Sequence, residues 1–399
     1  MIFKKTEVNK YDNIIILIVI SLGLGGLGGA LQVPRVLAVC FLPMLLRLYN
    51  GCSYAKPIKN FAVCFVAYAI FSLLWTSDFN EGVIQIVYYI IHFILFFEMI
   101  IFSRYALQPL KSISMAWTMV VLFSSIIAIW EIYTGNHLSM AREEDMIINQ
   151  GGMITDRVVA SAMFGNYNGY VTFLCFAFPW IVYSMITIKD KLFIFISAFS
   201  IIMTIVTILL DGSRGGMFAL LVMGLVYLFF VKKDRTTILL TFILVGILFV
   251  AFSKYGEQIF LVLELKKDNL TSDESRIEIW KCSLKLLIDS MGMGVGVGGM
   301  ISSLAGASSK IIPITHNIFI EAFLQFGVFF PFIFFRYIYR LFKSSLFIES
   351  SRRLVVVMSI VALPIYGIIN STYLLGPDLF ILIATLYIFV NYESIKAAN

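Results

Sequence analysis

The sequence predicts an all-α, polytopic membrane protein of about twelve transmembrane helices, on three observations. The 399 residues are 60% hydrophobic and only 14% charged, with a mean hydropathy of +0.92. A soluble fold of this length leaves too much surface outside to hide that share of apolar side chains, whereas a bilayer accepts it as an apolar solvent. Apolar runs of spanning length recur along the whole chain, and Lys and Arg cluster in alternate segments between them.

The runs fall near Asn13–Leu31, Val33–Tyr49, Phe61–Trp75, Val83–Phe102, Ile113–Tyr133, Met163–Ile188, Leu192–Leu210, Gly216–Val231, Ile238–Ser253, His316–Phe342, Leu354–Asn370 and Asp378–Tyr392. The first follows Lys4, Lys5 and Lys10 as a signal peptide would. No A-x-A site follows it, so it reads as an uncleaved anchor. Within it, Gly25-x-x-x-Gly29 reads as a helix-packing motif. With a cytoplasmic N-terminus, 19 of the 30 Lys and Arg fall in cytoplasmic segments and the other 11 outside. Residues 76–82, an outer segment, carry acids only. Both termini of this inner-membrane protein are therefore expected in the cytoplasm.

The net charge of +6 does not signal nucleic acid, because the basic residues set topology between spans. The five Cys, at 40, 52, 64, 175 and 282, form no CxxC and no Cys/His cluster. Neither a disulfide framework nor a zinc site is indicated. Cys40, Cys64 and Cys175 read as small packing residues.

Residues 1–399 read as one transmembrane domain with two long outer segments, 134–162 and 254–315. Connections of that length usually carry function or are disordered. The second holds an amphipathic stretch, Ser275–Leu287, with Ile277, Trp280, Leu284 and Leu287 at helical spacing. It is expected to lie on the membrane surface or over the span ends.

Four outer features bear on chemistry. Asp211-Gly-Ser-Arg214-Gly-Gly216 opens a helix, where a guanidinium adds to the positive dipole end and makes an anion site; the plain alternative is an interfacial Arg that snorkels. Arg276 follows Ser272-Asp273-Glu274, which reads as a helix cap, and its plain alternative is pairing with Glu278. Thr315-His316-Asn317…Glu321 opens the tenth span. Thr315 is placed to cap it, and the dipole disfavours imidazolium, so His316 is expected to stay neutral and able to accept a proton. The other two histidines, His92 and His137, read as packed polar residues. Gly292-Met-Gly294-Val-Gly296-Val-Gly298-Gly299 contains G-x-G-x-x-G without a surrounding strand–helix crossover, so it reads as a flexible or close-packing loop. No G-x-S-x-G occurs.

In this order the residues resemble a family. Ser213-Arg214-Gly215-Gly216, then Arg276 with Trp280 and Gly294–Gly299, then His316-Asn317…Glu321…Gly327 is similar to the O-antigen ligase and O-antigen polymerase superfamily. Phe164-Gly-Asn166-Tyr-Asn168 resembles its Asn-Pro-Asn segment, with Tyr167 where Pro is common. The resemblance runs from Phe164 to Gly327. It implies a C-type glycosyltransferase architecture and a metal-free, cofactor-free enzyme with its active site on the periplasmic side of a bacterial inner membrane. The implied donor is an undecaprenyl-pyrophosphate-linked glycan. The implied acceptor is a second lipid-linked glycan or lipid A–core, and the implied partners are membrane lipid and a chain-length regulator. Its catalytic groups map onto Arg214, Arg276 and His316. Arg157, Asn166, Asn168, Asp211 and Glu321 are the further substrate-binding or orienting candidates.

Three functions are weighed. A repeat-unit polymerase is preferred for the richness in Ile, Phe, Tyr and Asn. A ligase to lipid A–core, or to a protein hydroxyl, shares the same motifs. A transporter or flippase would bury ionisable groups at the midplane, where the sequence offers His92, Glu98 and Glu321.

Overall fold

The computed structural model describes residues 9–25, 31–49, 55–138, 149–150, 153–154, 159–230, 270–308, 314–370 and 373–397. The described residues are helical almost throughout. In order they form α1 (Lys10–Ser21), α2 (Val33–Leu48), α3 (Lys56–Ser72), α4 (Phe79–Tyr105), α5 (Pro109–Thr134), α6 (Tyr167–Thr187), α7 (Lys191–Leu210) and α8 (Arg214–Phe230). Then come α9 (Leu270–Asp289), α10 (Met300–Ala307), α11 (Ile318–Phe326), α12 (Phe329–Ser345), α13 (Ser350–Tyr366) and α14 (Pro377–Ala397). The one ladder among the described residues is a minimal antiparallel pair, β1 (Asn149–Gln150) with β2 (Met153–Ile154), and the architecture is all-α as expected.

Helices suit a lipid solvent because each satisfies its own backbone. Side chains close the ends. Asn9 caps α1 by accepting from the Tyr11 and Asp12 amides, and the Asp12 carboxylate accepts from the Asn9 amide in return. Asp78 caps α4 and Asp190 caps α7. Among the described residues five helices, α4, α5, α6, α7 and α14, are long and apolar enough to cross a membrane. Helix α6 is the hub: Tyr170 through Ser184 are all buried, and it packs on α5, α7 and α13. Helix α7 turns Leu192, Phe195 and Phe199 outward, as a lipid-facing helix does.

Several expected boundaries shift. The Ile238–Ser253 run, Gly29, Cys52 and Arg157 lie outside the described residues, as do parts of both long outer segments. The tenth run, expected to be one span, is two helices, α11 and α12. They part at Gly327, whose φ of +68° lies in the left-handed region where the helix cannot continue. Cys175 is buried as expected, whereas Cys40 and Cys64 are exposed on the outer faces of α2 and α3.

The helix ends sort into two groups. At one end, Asn9 donates to the Tyr105 carbonyl, and Asp12 accepts from the amides of Leu107 and Gln108 and from the Ser112 hydroxyl. Lys396 joins them by donating to the Arg104 and Ala106 carbonyls, and Arg352 pairs with Glu393 at 2.9 Å. The opposite end gathers the α3–α4 turn, the starts of α6, α8 and α11, and the glycine-rich segment.

That segment is a close-packed clamp. The amides and carbonyls of residues 293–297 are taken up by three elements. Tyr68 and Trp75 donate to the Met293 and Gly294 carbonyls, at 2.8 and 3.1 Å. Thr76 donates to the Val297 carbonyl, the Val297 amide donates to Ser72, and the Val295 amide donates to the Leu324 carbonyl. Gly292, Gly294, Gly296 and Gly298 all have positive φ. At Gly296, φ is +84° and an added Cβ would sit 2.7 Å from the Ser72 carbonyl oxygen. Gly296→Ala should therefore cost about 1–3 kcal/mol from strained backbone alone. Thermal unfolding in detergent should read this as a lower midpoint, while Gly306→Ala, where the space is open, should leave it unchanged.

Candidate active site

The site is assembled at that second end, around the C-terminal residues 367–370 that follow α13. The Ile318 amide, at the start of α11, donates to the Gly367 carbonyl at 2.9 Å. Gly215, at the start of α8, lies against Ile369, where a Cβ would approach the side chain to 2.8 Å. Gly169, in the first turn of α6, lies against the Asn370 side chain. Three helix N-termini thus converge on one short segment. Each carries roughly half a positive charge at its end, which together favour an anion.

The S-R-G-G motif is built for this approach. The Ser213 hydroxyl accepts from the Gly216 amide at 3.3 Å and caps α8. Gly216 nests against Val171 and Ile208, where any Cβ would clash. Arg214, the first residue of α8, is exposed. The glycines supply contact, and the guanidinium supplies charge.

Asn166 caps α6, its side-chain oxygen accepting from the Gly169 amide at 2.6 Å. Tyr167 occupies the first helical position, where proline is favoured because its missing N–H has no helical partner there. The Tyr for Pro exchange therefore leaves the turn intact. Asn168 is half-buried and its carbonyl accepts from the Thr172 hydroxyl.

His316 sits immediately before α11 with φ of +46°, a strained conformation for a residue other than glycine. The sequence expects Thr315 to cap this helix. Asn317 does so instead, its side-chain oxygen accepting from the Phe319 and Ile320 amides at 2.9 and 3.2 Å. The left-handed turn at His316 delivers Asn317, in extended conformation, to the capping position. Thr315 is buried, and its carbonyl accepts from the Trp280 indole N–H at 2.8 Å. That bond ties α9 to the residue before His316.

Burial, and then the charge of Arg276, lower the His316 pKa from 6.5 to about 4. Arg276 therefore acts on the imidazole directly, and the expected neutrality has a different cause from a helix dipole. The His316 Nδ1 is buried and has no hydrogen-bond partner among the described residues. Helix α9 begins at Leu270, so Ser272-Asp273-Glu274 lies inside its first turns instead of capping it. The 277/280/284/287 stripe is not its core face: Ile279 and Ser283 are buried, while Ile277 and Leu284 face outward.

Two buried carboxylates, one of them unforeseen, frame the site. Asp211 accepts from the Ala160 amide at 2.8 Å. Glu131, which no motif marks, accepts from the Ser161 and Ala162 amides at 2.8 and 2.7 Å and lies 3.4 Å from His137. The only sequence signal for Glu131 is an acid near the end of an apolar span. Glu321 is fully buried in the first turn of α11, its amide donating to the Asn317 carbonyl. Asn370 and the buried Arg35 were also unmarked. Arg35 stacks 3.7 Å from the Tyr88 ring centre and donates to His92 and to the Leu375 carbonyl, so His92 is a packed polar residue as expected.

Beside Ile318 opens an apolar groove holding a cavity of about 260 Å³ between α3, α4, α11, α12 and α14. Phe65, Phe93, Phe326, Phe330 and Phe334 line it, and apart from Arg336, Tyr337 and Arg340 its walls are wholly aliphatic or aromatic.

Comparison with known proteins bears on this arrangement. Residues 198–335 match the family model described as O-antigen ligase. The chain is also 26% identical over 301 residues to the teichuronic acid biosynthesis protein TuaE of Bacillus subtilis (strain 168). That alignment takes in 71% of this chain and 59% of the relative's length. The chain is therefore similar to the O-antigen ligase family over that segment, which contains Arg214, Arg276 and His316. The chain thus resembles proteins of polysaccharide biosynthesis, and five of its described helices are long and apolar enough to cross a membrane.

The folded pKa of His316 lies below its unfolded value, so the neutral imidazole contributes stability above about pH 6.5 that is lost as pH falls toward about 4. Histidine hydrogen–deuterium exchange read by mass spectrometry should give an acidic titration for His316. In Arg276→Gln it should move upward, because one of the two depressing causes is gone while burial remains.

Proposed function

We propose that the chain is a metal-independent membrane glycosyltransferase that joins lipid-linked oligosaccharide repeat units into a polysaccharide. The carrying observation is the convergence of three helix N-termini, with Arg276 acting on a neutral His316, next to an apolar groove. This set suits a substrate with an anionic head and a long apolar tail, as an undecaprenyl-pyrophosphate-linked glycan has. The tail would lie along the groove from Ile318 toward Arg336.

Outside the cytoplasm no nucleotide is at hand to activate a sugar, so the donor must arrive activated. The Lys- and Arg-rich end of the bundle opposes the site, which supports cytoplasmic termini and a periplasmic site. The remaining runs read as further spans, giving about twelve. In the reaction the acceptor hydroxyl oxygen attacks the donor's anomeric carbon. The new C–O bond forms as the bond to the diphosphate oxygen breaks, and the electron pair leaves on the diphosphate. His316 takes the hydroxyl proton as general base. Arg214, Arg276 and the helix ends stabilise the departing negative charge, for which a permanent, bidentate cation is suited. Asn166 and Asp211 hold the surrounding segments, the buried Glu321 orients the start of α11 beside His316, Asn168 lines the approach, and Arg157 is a further candidate for the diphosphate.

The second reading is a ligase, which the description of the matching family favours. In it the acceptor is lipid A–core or another non-carrier hydroxyl. A deletion strain separates the two: glycan stalled at single repeat units marks a polymerase, and long glycan left on the lipid carrier marks a ligase.

With the protein reconstituted in vesicles and supplied with lipid-diphosphate-linked repeat units, His316→Ala should slow product formation by about 10²–10⁴-fold. Arg214→Ala and Arg276→Ala should each slow it by about 10²–10³-fold, as for loss of one transition-state donor. The new linkage should be inverted relative to the donor, read by NMR of the anomeric protons. Retained configuration, or full activity in all three variants, would refute this mechanism.

A further inference from the structure

Helix α9 buries one face and bares the opposite one. Ile279 joins Met300, Leu304 and Leu324 in a small core under the helix, with Leu286 packed against it. On the other side Leu284 is 59% exposed, Ile288 66%, and Met291, just past the helix end, 93%. With Ile277, Leu284 and Ile288 recur at offsets of seven and eleven residues, a single stripe along the helix that points toward Met291 beyond its end. Lys281 lies within the stripe, Lys285 flanks one edge, and both are exposed. A helix meeting water on its outer side carries polar residues there, and an aliphatic stripe rimmed by lysines is the pattern of an interfacial helix.

The stripe also leads into a surface of the same kind. The Val328 amide donates to the Gly292 carbonyl at 3.0 Å, which sets Met291 and Met293 beside the start of α12. There Phe329 and Phe332 are exposed, continuing the apolar surface down the outside of the bundle.

We infer that α9 lies in the surface of the bilayer leaflet on the site's side. Its Ile277–Leu284–Ile288 stripe sits at the boundary of headgroups and acyl chains, and Lys281 and Lys285 meet anionic headgroups. The same helix carries Arg276 and, through Trp280, holds Thr315. Docking would therefore fix the candidate site at headgroup height. The inference concerns position and not turnover, so it stands or falls apart from the enzymatic reading.

The test uses the full chain with its five cysteines replaced, reconstituted in phosphatidylethanolamine–phosphatidylglycerol vesicles. A nitroxide is placed singly at Ile277, Leu284, Ile288 and Asp289, and at Phe332 as a lipid-facing reference. Power-saturation spectroscopy then compares collisions with dissolved oxygen and with a water-soluble nickel complex. Labels at 277, 284 and 288 should favour oxygen several-fold, approaching the Phe332 label, while the label at 289 should favour nickel. Adding Leu284→Glu and Ile288→Glu should reverse the preference at 277, with circular dichroism checking that the helix content is unchanged. Nickel preference at 277, 284 and 288 would place the face in water, and shielding from both reagents would mean that protein covers it. Either result overturns the inference.

Discussion

Functional groups outside a membrane bundle can be held in place only if their backbone is fastened to helices whose own hydrogen bonds are already spent. Here the fastening is the Met293–Val297 backbone. Its carbonyls and amides bond to Tyr68, Ser72, Trp75, Thr76 and the Leu324 carbonyl. Side chains of α3 and of the α3–α4 turn supply four of those five partners, because the backbone groups inside a transmembrane helix are already bonded. Glycine at alternate positions lets two backbones approach to contact distance. The same clamp reaches the end of α11, so the helix that starts beside His316 is held at both its first and last turns.

Electrostatics then sets what the held groups can do. A half-buried imidazole beside a guanidinium pays desolvation and repulsion on protonation, so it stays neutral at ordinary pH. A neutral imidazole accepts a proton, while the guanidinium keeps its charge. One neighbouring pair can thus divide general-base and anion-binding duties without titrating together. The positive φ at His316 adds strain that the surrounding bonds must override. The Trp280–Thr315 bond on one side and the Asn317 cap on the other supply that constraint.

Much of this was legible in the sequence where one physical rule acts alone. Hydropathy and charge placement mark the helices and their two ends, and the glycine run reads as a packing device. Legibility fails where tertiary contact decides. Thr315 and Asn317 are both good caps, and only the left-handed turn at His316 selects Asn317. Apolar residues flank Gly327 on both sides in the run from His316 to Phe342, so hydropathy does not mark the break there, which goes with close backbone contact to Gly292 and Met293. Glu131 looks like a stray acid and Asp211 like an orienting group of its own motif, because the amides they bind, at 160–162, belong to a different part of the chain. Arg35 sits in an apolar run without a motif, and its partners come from two distant helices.

Buried ionisable groups also bear on the choice between enzyme and transporter. Arg35, His92 and Asp378 lie together inside the bundle, a feature that transporters use. Here they close a structural circuit: Arg35 stacks on Tyr88 and bonds to the carbonyl of Leu375, just before α14. A translocation site needs helices that break near the midplane and a cavity with polar walls. The cavity beside these helices is lined instead mainly by phenylalanine and aliphatic side chains, with polar groups only at Arg336, Tyr337 and Arg340, so most of its wall offers an ion or a sugar nothing to replace its hydration. An apolar chain loses nothing on entering it. The walls therefore suit an apolar chain, and Ile318, which lines the groove, stands at the end of the bundle where the helix N-termini gather.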